Sequence, residues 1–222
     1  MKSFPESLEI SKSISDLFNV YELNMKELSK LLNEATDYVE EKLKDLKLRY
    51  GQAGPRSRAG WHYKLQAKTY AFSVFNNNIV NNGNDDDQKK SDWIIVLMIL
   101  LREHTIEERQ ECTCLSVLYF NPWQYFTDFD VKQISHEWVY QAIVSMKRKD
   151  VFEYSIADWS EKVIKVVAKE KIVSYLLNIP VGCFEDEDDF SLLLKPAIIS
   201  LINKNDDGIK DLDCFYIPNN IK

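Results

Sequence analysis

Basic side chains are concentrated in one segment of an otherwise acidic chain. Residues 49–84 contain no Asp or Glu, although an average of 35 acids in 222 residues predicts about six in such a window. Its cations are Arg49, Arg56, Arg58, Lys64 and Lys68. Arg56 and Arg58 follow Gly54 and Pro55 in a loop, where guanidinium groups and backbone amides can bind phosphate or carboxylate. We therefore predict an anion- or partner-binding site at these five cations.

An alternative partner for these cations lies within the chain itself. Residues 185–189 read Glu-Asp-Glu-Asp-Asp, a run of five acids, and opposite charges attract. Under this interpretation the basic segment forms internal ion pairs or is simply solvated.

Side chains suited to acid–base or metal chemistry are scattered. His62, His104 and His136 have no spacing typical of a site, and Glu103 and His104 would point to opposite faces of a strand. Cys112 and Cys114 share a strand face that His104 could approach, which is the minimum for a soft-metal site, but two small buried hydrophobic residues explain them equally.

Motifs that define the common catalytic sites do not occur in this sequence. It contains no Gly-x-Ser-x-Gly, no Walker A loop and no dinucleotide-binding fingerprint. We therefore predict no catalytic residue, no metal and no cofactor, and we favour a protein that is not an enzyme. Whether His62, Glu103, His104 or His136 is catalytic stays open.

Composition places the chain among ordinary globular proteins. It has 45% hydrophobic and 28% charged residues and a formal net charge of −7, which disfavours non-specific binding of nucleic acid. The longest apolar run, residues 93–101, is about half of what a membrane-spanning helix needs. Four cysteines are too few for a disulfide framework. With no export signal evident, we expect a cytoplasmic protein with free thiols and no membrane contact.

Hydrophobic periodicity predicts an α+β fold with N-terminal helices. Apolar residues recur every three or four positions over residues 21–48, and a shorter helix is predicted over 8–18. The longer seam could serve as a coiled-coil or dimer surface, but a core face is the commoner use of so short a seam. A small, mostly antiparallel sheet is predicted at about 61–75, 93–101 and 112–120.

The second half of the chain is predicted to be helical. Helices are expected over 127–149, 155–177 and 190–202, the last interrupted by a proline, and a short closing strand at 214–217. We expect one domain over 1–222, with a helical section 1–50, a sheet section 51–125 and a helical section 126–222. The sheet section contains a polar loop, 76–92, that we predict to be mobile.

Residues 119–125, Tyr-Phe-Asn-Pro-Trp-Gln-Tyr, resemble a short segment of the KAP family of P-loop NTPases. The likeness covers seven residues, and the phosphate-binding loop that defines the family is absent from this sequence. Nucleotide hydrolysis is therefore not carried over, and we interpret the segment as an aromatic strand-to-helix turn.

Segregated charge and the absence of catalytic motifs favour a binding or regulatory protein of the inhibitor, immunity or accessory-subunit type. Its partner would be a charged macromolecule, most simply a protein, because segregated charge favours selective encounter. The alternative is an enzyme or sensor that acts on a phosphate-bearing ligand or nucleic acid through the basic segment 49–68. The sequence does not indicate an oligomeric state.

Overall fold

The computed structural model describes residues 4–42, 52–53, 69–73, 93–100, 113–121, 153–217 and 221. Their order along the chain is one long helix, seven strands and a C-terminal helical segment. The first elements are α1 (Phe4–Lys42), β1 (Gln52–Ala53), β2 (Thr69–Ser73), β3 (Ile94–Leu100) and β4 (Cys114–Phe120). They are followed by β5 (Glu153–Ala157), β6 (Ser160–Ala168), β7 (Lys171–Pro180), α2 (Glu187–Asp189) and α3 (Lys195–Asn203). This layout confirms the predicted α+β class.

The seven strands form one antiparallel sheet in the order β1-β2-β3-β4-β7-β6-β5. β3 and β4 pair from Ile94 with Phe120 to Leu100 with Cys114, as the two apolar runs of the sequence predicted. β7 returns to the centre of the sheet and pairs with β4 along its length. The sheet therefore consists of two meanders, β1–β4 and β5–β7, that meet at the β4–β7 pair.

Both faces of the central strands are buried, which explains why these strands are continuously apolar rather than alternating. Residues 95–99 of β3 and 114–118 of β4 have essentially no exposed surface. On one face the odd-numbered positions, such as Leu97, Leu115 and Leu177, share a hydrophobic core with α1 and α3. Ser116 and Asn178 lie on the opposite face, where the Ser116 hydroxyl donates to Asn178 Oδ1 at 2.6 Å.

The helix α1 is a single continuous element, whereas two helices were expected from the sequence. No glycine or proline separates the two predicted segments, so nothing interrupts the backbone hydrogen bonds between them. Its C-terminal half packs in the core of the sheet through Leu32, Ala35 and Val39, and Met25 is also buried. The prediction of a helical N-terminal section is thus confirmed, and its seam is a core face over this half.

The proline-interrupted C-terminal helix was also predicted correctly. A π-helical turn at Phe190–Leu194 connects α2 to α3. Pro196 lies in the first turn of α3 and, lacking a backbone N–H, cannot continue the α-helical ladder from the residues before it. The buried side of this segment, including Leu194, Ala197 and Leu201, packs on the core face of the sheet.

The prediction of a helix over 155–177 was wrong, because these residues form β5, β6 and most of β7. Spacings of three and four between apolar residues suggested a helix, but the segment is rich in β-branched Val and Ile, which pack better on a pleated sheet. The turn from β6 to β7 consists of Lys169 and Glu170, whose φ angles are 51° and 65°. Asn-Gly, the sequence signal of such a turn, is absent there.

The predicted closing strand at 214–217 was likewise wrong. Tyr216 N–H donates to the Asn178 carbonyl oxygen at 2.9 Å, but the described residues 212–217 form no strand. This backbone hydrogen bond ties the segment to β7, whereas a strand ladder would need several in succession.

Some predictions fall outside the described residues and stay predictions. They are the mobile loop 76–92, the first half of the strand at 61–75 and the helix over 127–149. The single-domain organisation also stays a prediction. Among the described residues, no helix has both the length and the apolar character that crossing a lipid bilayer requires.

Candidate functional site

The five cations of the predicted anion-binding segment all lie outside the described residues, as do His62, Glu103, His104 and His136. Neither the basic site nor the alternative catalytic residues can therefore be placed on the fold. Cys114 is buried within β4, Cys112 lies outside the described part, and no disulfide links the three described cysteines. Within the described ranges, no group of His, Cys, Asp and Glu side chains could hold a metal ion.

The acidic run 185–189 begins the C-terminal helical segment. Asp186 is the N-cap of α2, and its carboxylate accepts from the Asp188 backbone N–H at 2.9 Å. The Asp189 carboxylate accepts in turn from the backbone N–H groups of Glu185 and Asp186, at 2.7 and 3.1 Å. Such a reciprocal cap satisfies N–H groups that a helix start leaves unpaired. Two of the five acids therefore have a local structural role.

Three lysines of the β5–β7 meander, Lys162, Lys165 and Lys169, have different environments. Lys165 pairs with Asp158 across the β5–β6 turn, at 3.0 Å. Lys169 lies in the β6–β7 turn. Lys162 has a different environment, formed by the C-terminal segment.

The Lys162 ammonium group binds a turn of the backbone. Nζ donates to the carbonyl oxygens of Ile209 at 2.7 Å and Lys210 at 2.6 Å, and also to that of Leu212. An ammonium group has three donors, and this turn accepts all of them. The ring of Phe215 lies 5.7 Å from Nζ. Lys162 therefore fastens the segment after α3 to strand β6.

An aromatic group lies where α3 ends over the sheet. Trp93 stacks on Tyr119 with ring centroids 4.7 Å apart and on Tyr175 at 5.9 Å. Lys204, the C-cap residue of α3, places its ammonium group 4.9 Å from the Trp93 ring centre and 5.5 Å from that of Tyr175. Cation–π contacts of this kind hold the end of α3 on the sheet.

The titration of Tyr175 is shifted by this packing. Burial raises the pKa of its phenol above the usual value of 10.0, and the nearby Lys165 ammonium opposes that shift. The neutral phenol is thus favoured. The side chains of this aromatic group, Trp93, Tyr119 and Tyr175, stack on one another and on Lys204. Their geometry fits an anchoring role for the end of α3 better than a catalytic one.

Among the described residues, large exposed apolar side chains concentrate on the N-terminal half of α1. Every residue of 12–17 and 19–24 is exposed. Five large apolar side chains lie among them, with exposed fractions of 42% to 71%, and we call them the exposed stripe: Ile14, Leu17, Val20, Tyr21 and Leu23. Isolated apolar side chains are common on protein surfaces, but five within ten residues of one helix are a concentration that makes this part of α1 a candidate interaction surface.

Three side chains of the exposed stripe continue the face that α1 buries further along. Ile14, Leu17 and Tyr21 follow spacings of three and four residues, and the same spacing leads on to Met25, Leu28 and Leu32. The first three are exposed, whereas Met25 and Leu32 are buried. The sequence revealed the periodic face but not where its cover ends, because both halves of the helix have the same pattern.

Charged side chains also lie on this part of α1. Asp16 and Glu22 are the acids within residues 12–24, and Lys12 is the cation; all three are exposed. At 3.6 residues per turn, Lys12 and Glu22 lie about 140° around the helix from Leu17, on the side away from Ile14, Leu17 and Tyr21.

Comparisons with known proteins found no relative of this chain. No family model, no curated protein and no solved structure matches it. The resemblance of residues 119–125 to the KAP family thus has no support from a family model.

Proposed function

We propose that this chain is a non-enzymatic binding protein and that the N-terminal half of α1 is its docking element for a macromolecular partner. The observation that carries the proposal is the exposed stripe. Its five side chains lie on a helix whose far end is fixed in the core by Leu32, Ala35 and Val39, so the helix is presented to solvent from a rigid base.

The anchoring contacts of the rest of the fold support the same function. Lys162 and Lys204 hold the segment after α3 and the end of α3 against the sheet, and a rigid scaffold lowers the entropy lost on binding. The partner is a charged macromolecule in this proposal, because the chain separates the basic segment 49–68 from the acidic run 185–189, and segregated charge favours selective encounter. The basic segment 49–68 is a second contact that we predict from sequence alone.

A photo-cross-linking residue at Val20 tests the proposal in the protein's native host. We expect a cross-linked species of defined mass that disappears when Leu17→Lys is added, because the lysine places a charge in the middle of the buried patch. Leu192→Lys is the matched control, since Leu192 is similarly exposed at 56% but lies on the π-helical turn, outside the stripe. It should leave the cross-link unchanged.

Two results would contradict the docking function. One is the absence of any cross-linked macromolecule at Val20. The other is a cross-linked species that survives Leu17→Lys and responds equally to Leu192→Lys, which would mean that contact is not through the stripe.

A further inference from the structure

The turn that Lys162 binds has the properties of a cation site. Three backbone carbonyl oxygens, those of Ile209, Lys210 and Leu212, converge on one atom, the ammonium nitrogen of Lys162. We propose that this turn is a binding site for a primary ammonium group and that Lys162 is its tethered ligand, so that shortening Lys162 opens the site to a free alkylammonium ion. The site does not depend on the docking function of α1.

The number and chemistry of the acceptors fit a primary ammonium group. Such a group has three N–H donors, and the distances from Nζ to the Ile209 and Lys210 oxygens, 2.7 and 2.6 Å, are short, as in charge-assisted hydrogen bonds. A Ca²⁺ site would combine carbonyl with carboxylate ligands, and within the described ranges no group of Asp, Glu, His and Cys side chains could hold a metal ion. The acceptors therefore favour an ammonium ion over a divalent metal.

The turn is held in shape by contacts that do not involve Lys162. The Asp206 carbonyl oxygen accepts from the backbone N–H groups of Ile209 and Lys210 at 2.9 and 2.8 Å. The Ile209 side chain is buried in the core. Gly208 packs so closely on α3 that a Cβ atom there would lie 3.2 Å from side-chain atoms of that helix. The carbonyl oxygens are thus already placed for a cation, which lowers the entropy lost on binding.

The charge of the surrounding segment also favours a cation. Residues 205–213 contain four aspartates and one lysine, which gives them a formal charge of −3. Removing the Lys162 ammonium group takes away a charge that compensates them, and an acidic surrounding raises the local concentration of cations.

The site lies where β6 departs from a regular ladder. The register of β5 against β6 shifts there, and residues 161–163 form a bulge that carries Lys162; bulges commonly re-aim a side chain. Lys162 is half-buried, and its hydrogen bond to the Lys210 carbonyl oxygen lies at the surface. An ion in solvent can therefore reach the oxygens once the lysine stem is removed.

Lys162→Ala with added n-propylammonium chloride tests the site, because this ion has the three carbons and the ammonium nitrogen that the substitution removes. Relative to wild type in the same salt, we expect the Tm of the variant to rise with the logarithm of ligand concentration, by about 3–6 °C at ten times the dissociation constant. Tetramethylammonium chloride at equal ionic strength has the same charge but no N–H donor, and it should give no such rise.

Two variants serve as controls. Lys162→Met loses the same charge, but its side chain fills most of the room that the lysine stem occupied, so n-propylammonium should not raise its Tm. Lys171→Ala shortens an exposed lysine at the start of β7 and should not respond either. Hydrogen exchange of the Ile209 and Lys210 amides should become slower in Lys162→Ala when n-propylammonium is added, and it should not change with tetramethylammonium.

Equal melting temperatures of Lys162→Ala in the two salts would overturn the proposal. An equal response of Lys162→Met or Lys171→Ala would overturn it as well, because the effect would then be a general one. If Lys162→Ala does not fold, Lys162→Val replaces it, since a β-branched residue suits a strand. Ethylammonium then matches the missing atoms, and the same comparison with tetramethylammonium decides.

Discussion

Lys162→Met removes an ammonium group that three backbone carbonyls surround, and it keeps most of the side chain's apolar stem. We expect the variant to fold but to lose stability. A hydrogen bond to a charged group contributes about 1.5–3 kcal/mol, but the three bonds of Lys162 share one charge and water can reach the partly exposed turn. We therefore expect a total loss of about 2–3 kcal/mol rather than the sum of three separate bonds.

Urea unfolding and thermal melting, each monitored by circular dichroism, measure this loss. For a domain of about this size, 1 kcal/mol corresponds to roughly 2–4 °C in Tm, so the melting temperature should fall by about 4–12 °C. Lys171→Met is the matched control. Lys171 is exposed at the start of β7, and a surface change of this type should stay within about 0.5 kcal/mol.

Hydrogen exchange locates the effect. The turn that Lys162 binds is internally bonded from Ile209 and Lys210 back to Asp206, and those amides should exchange faster in Lys162→Met than in Lys171→Met. The reasoning is refuted if the two variants unfold at the same urea concentration, or if stability falls while the turn amides keep their protection.

Two further predictions concern β6 and β7. Glu170→Gly should stabilise the protein by about 0.5–1 kcal/mol, because Glu170 has a φ of 65° that glycine adopts without a steric cost; a lower urea midpoint than wild type would contradict this. Tyr175 should ionise above pH 10.0 in an absorbance titration, and Tyr175→Phe should remove that late phase. The raised pKa favours the neutral phenol of Tyr175 in the folded state. The stability that this shift contributes is complete below pH 10.0, the unfolded pKa, and is lost as pH rises through the higher folded pKa. Loss of an early-titrating tyrosine in Tyr175→Phe would contradict the assignment of the late phase.

Sequence patterns predicted the elements whose signals are purely local. The apolar runs behind β3 and β4 and the periodic face of α1 appear in the structure where they were expected. The hairpin at Lys169 and Glu170 was missed because two residues with side chains occupy positions where Gly or Asn is the usual signal. Without that turn, Val163, Val166 and Val173 fit helical spacing as well as they fit two strands.

The proposed docking surface could be predicted only in part. Spacing alone defines the apolar face of α1, but it does not indicate which residues of that face are covered, such as the buried Leu32, and which are exposed, such as Leu17. The anchoring role of Lys162 could not be predicted from the sequence either. Its acceptors are backbone carbonyls from about 47 to 50 residues away in the chain, and every residue has such a carbonyl, so residue type does not indicate which ones accept.

The pairing of β4 with β7 determines the order in which the sheet can be completed. Hairpins such as β6–β7 close within microseconds, but the hydrogen bond between Ser116 and Asn178 joins residues 62 positions apart, and closing so long a loop costs more entropy. During synthesis, roughly 60 residues separate the end of β4 from the end of β7, which takes about 3–12 s at ordinary ribosome speeds. For that interval β4 is an apolar edge strand with unpaired backbone groups, so aggregation and chaperone binding on the nascent chain should both concentrate there.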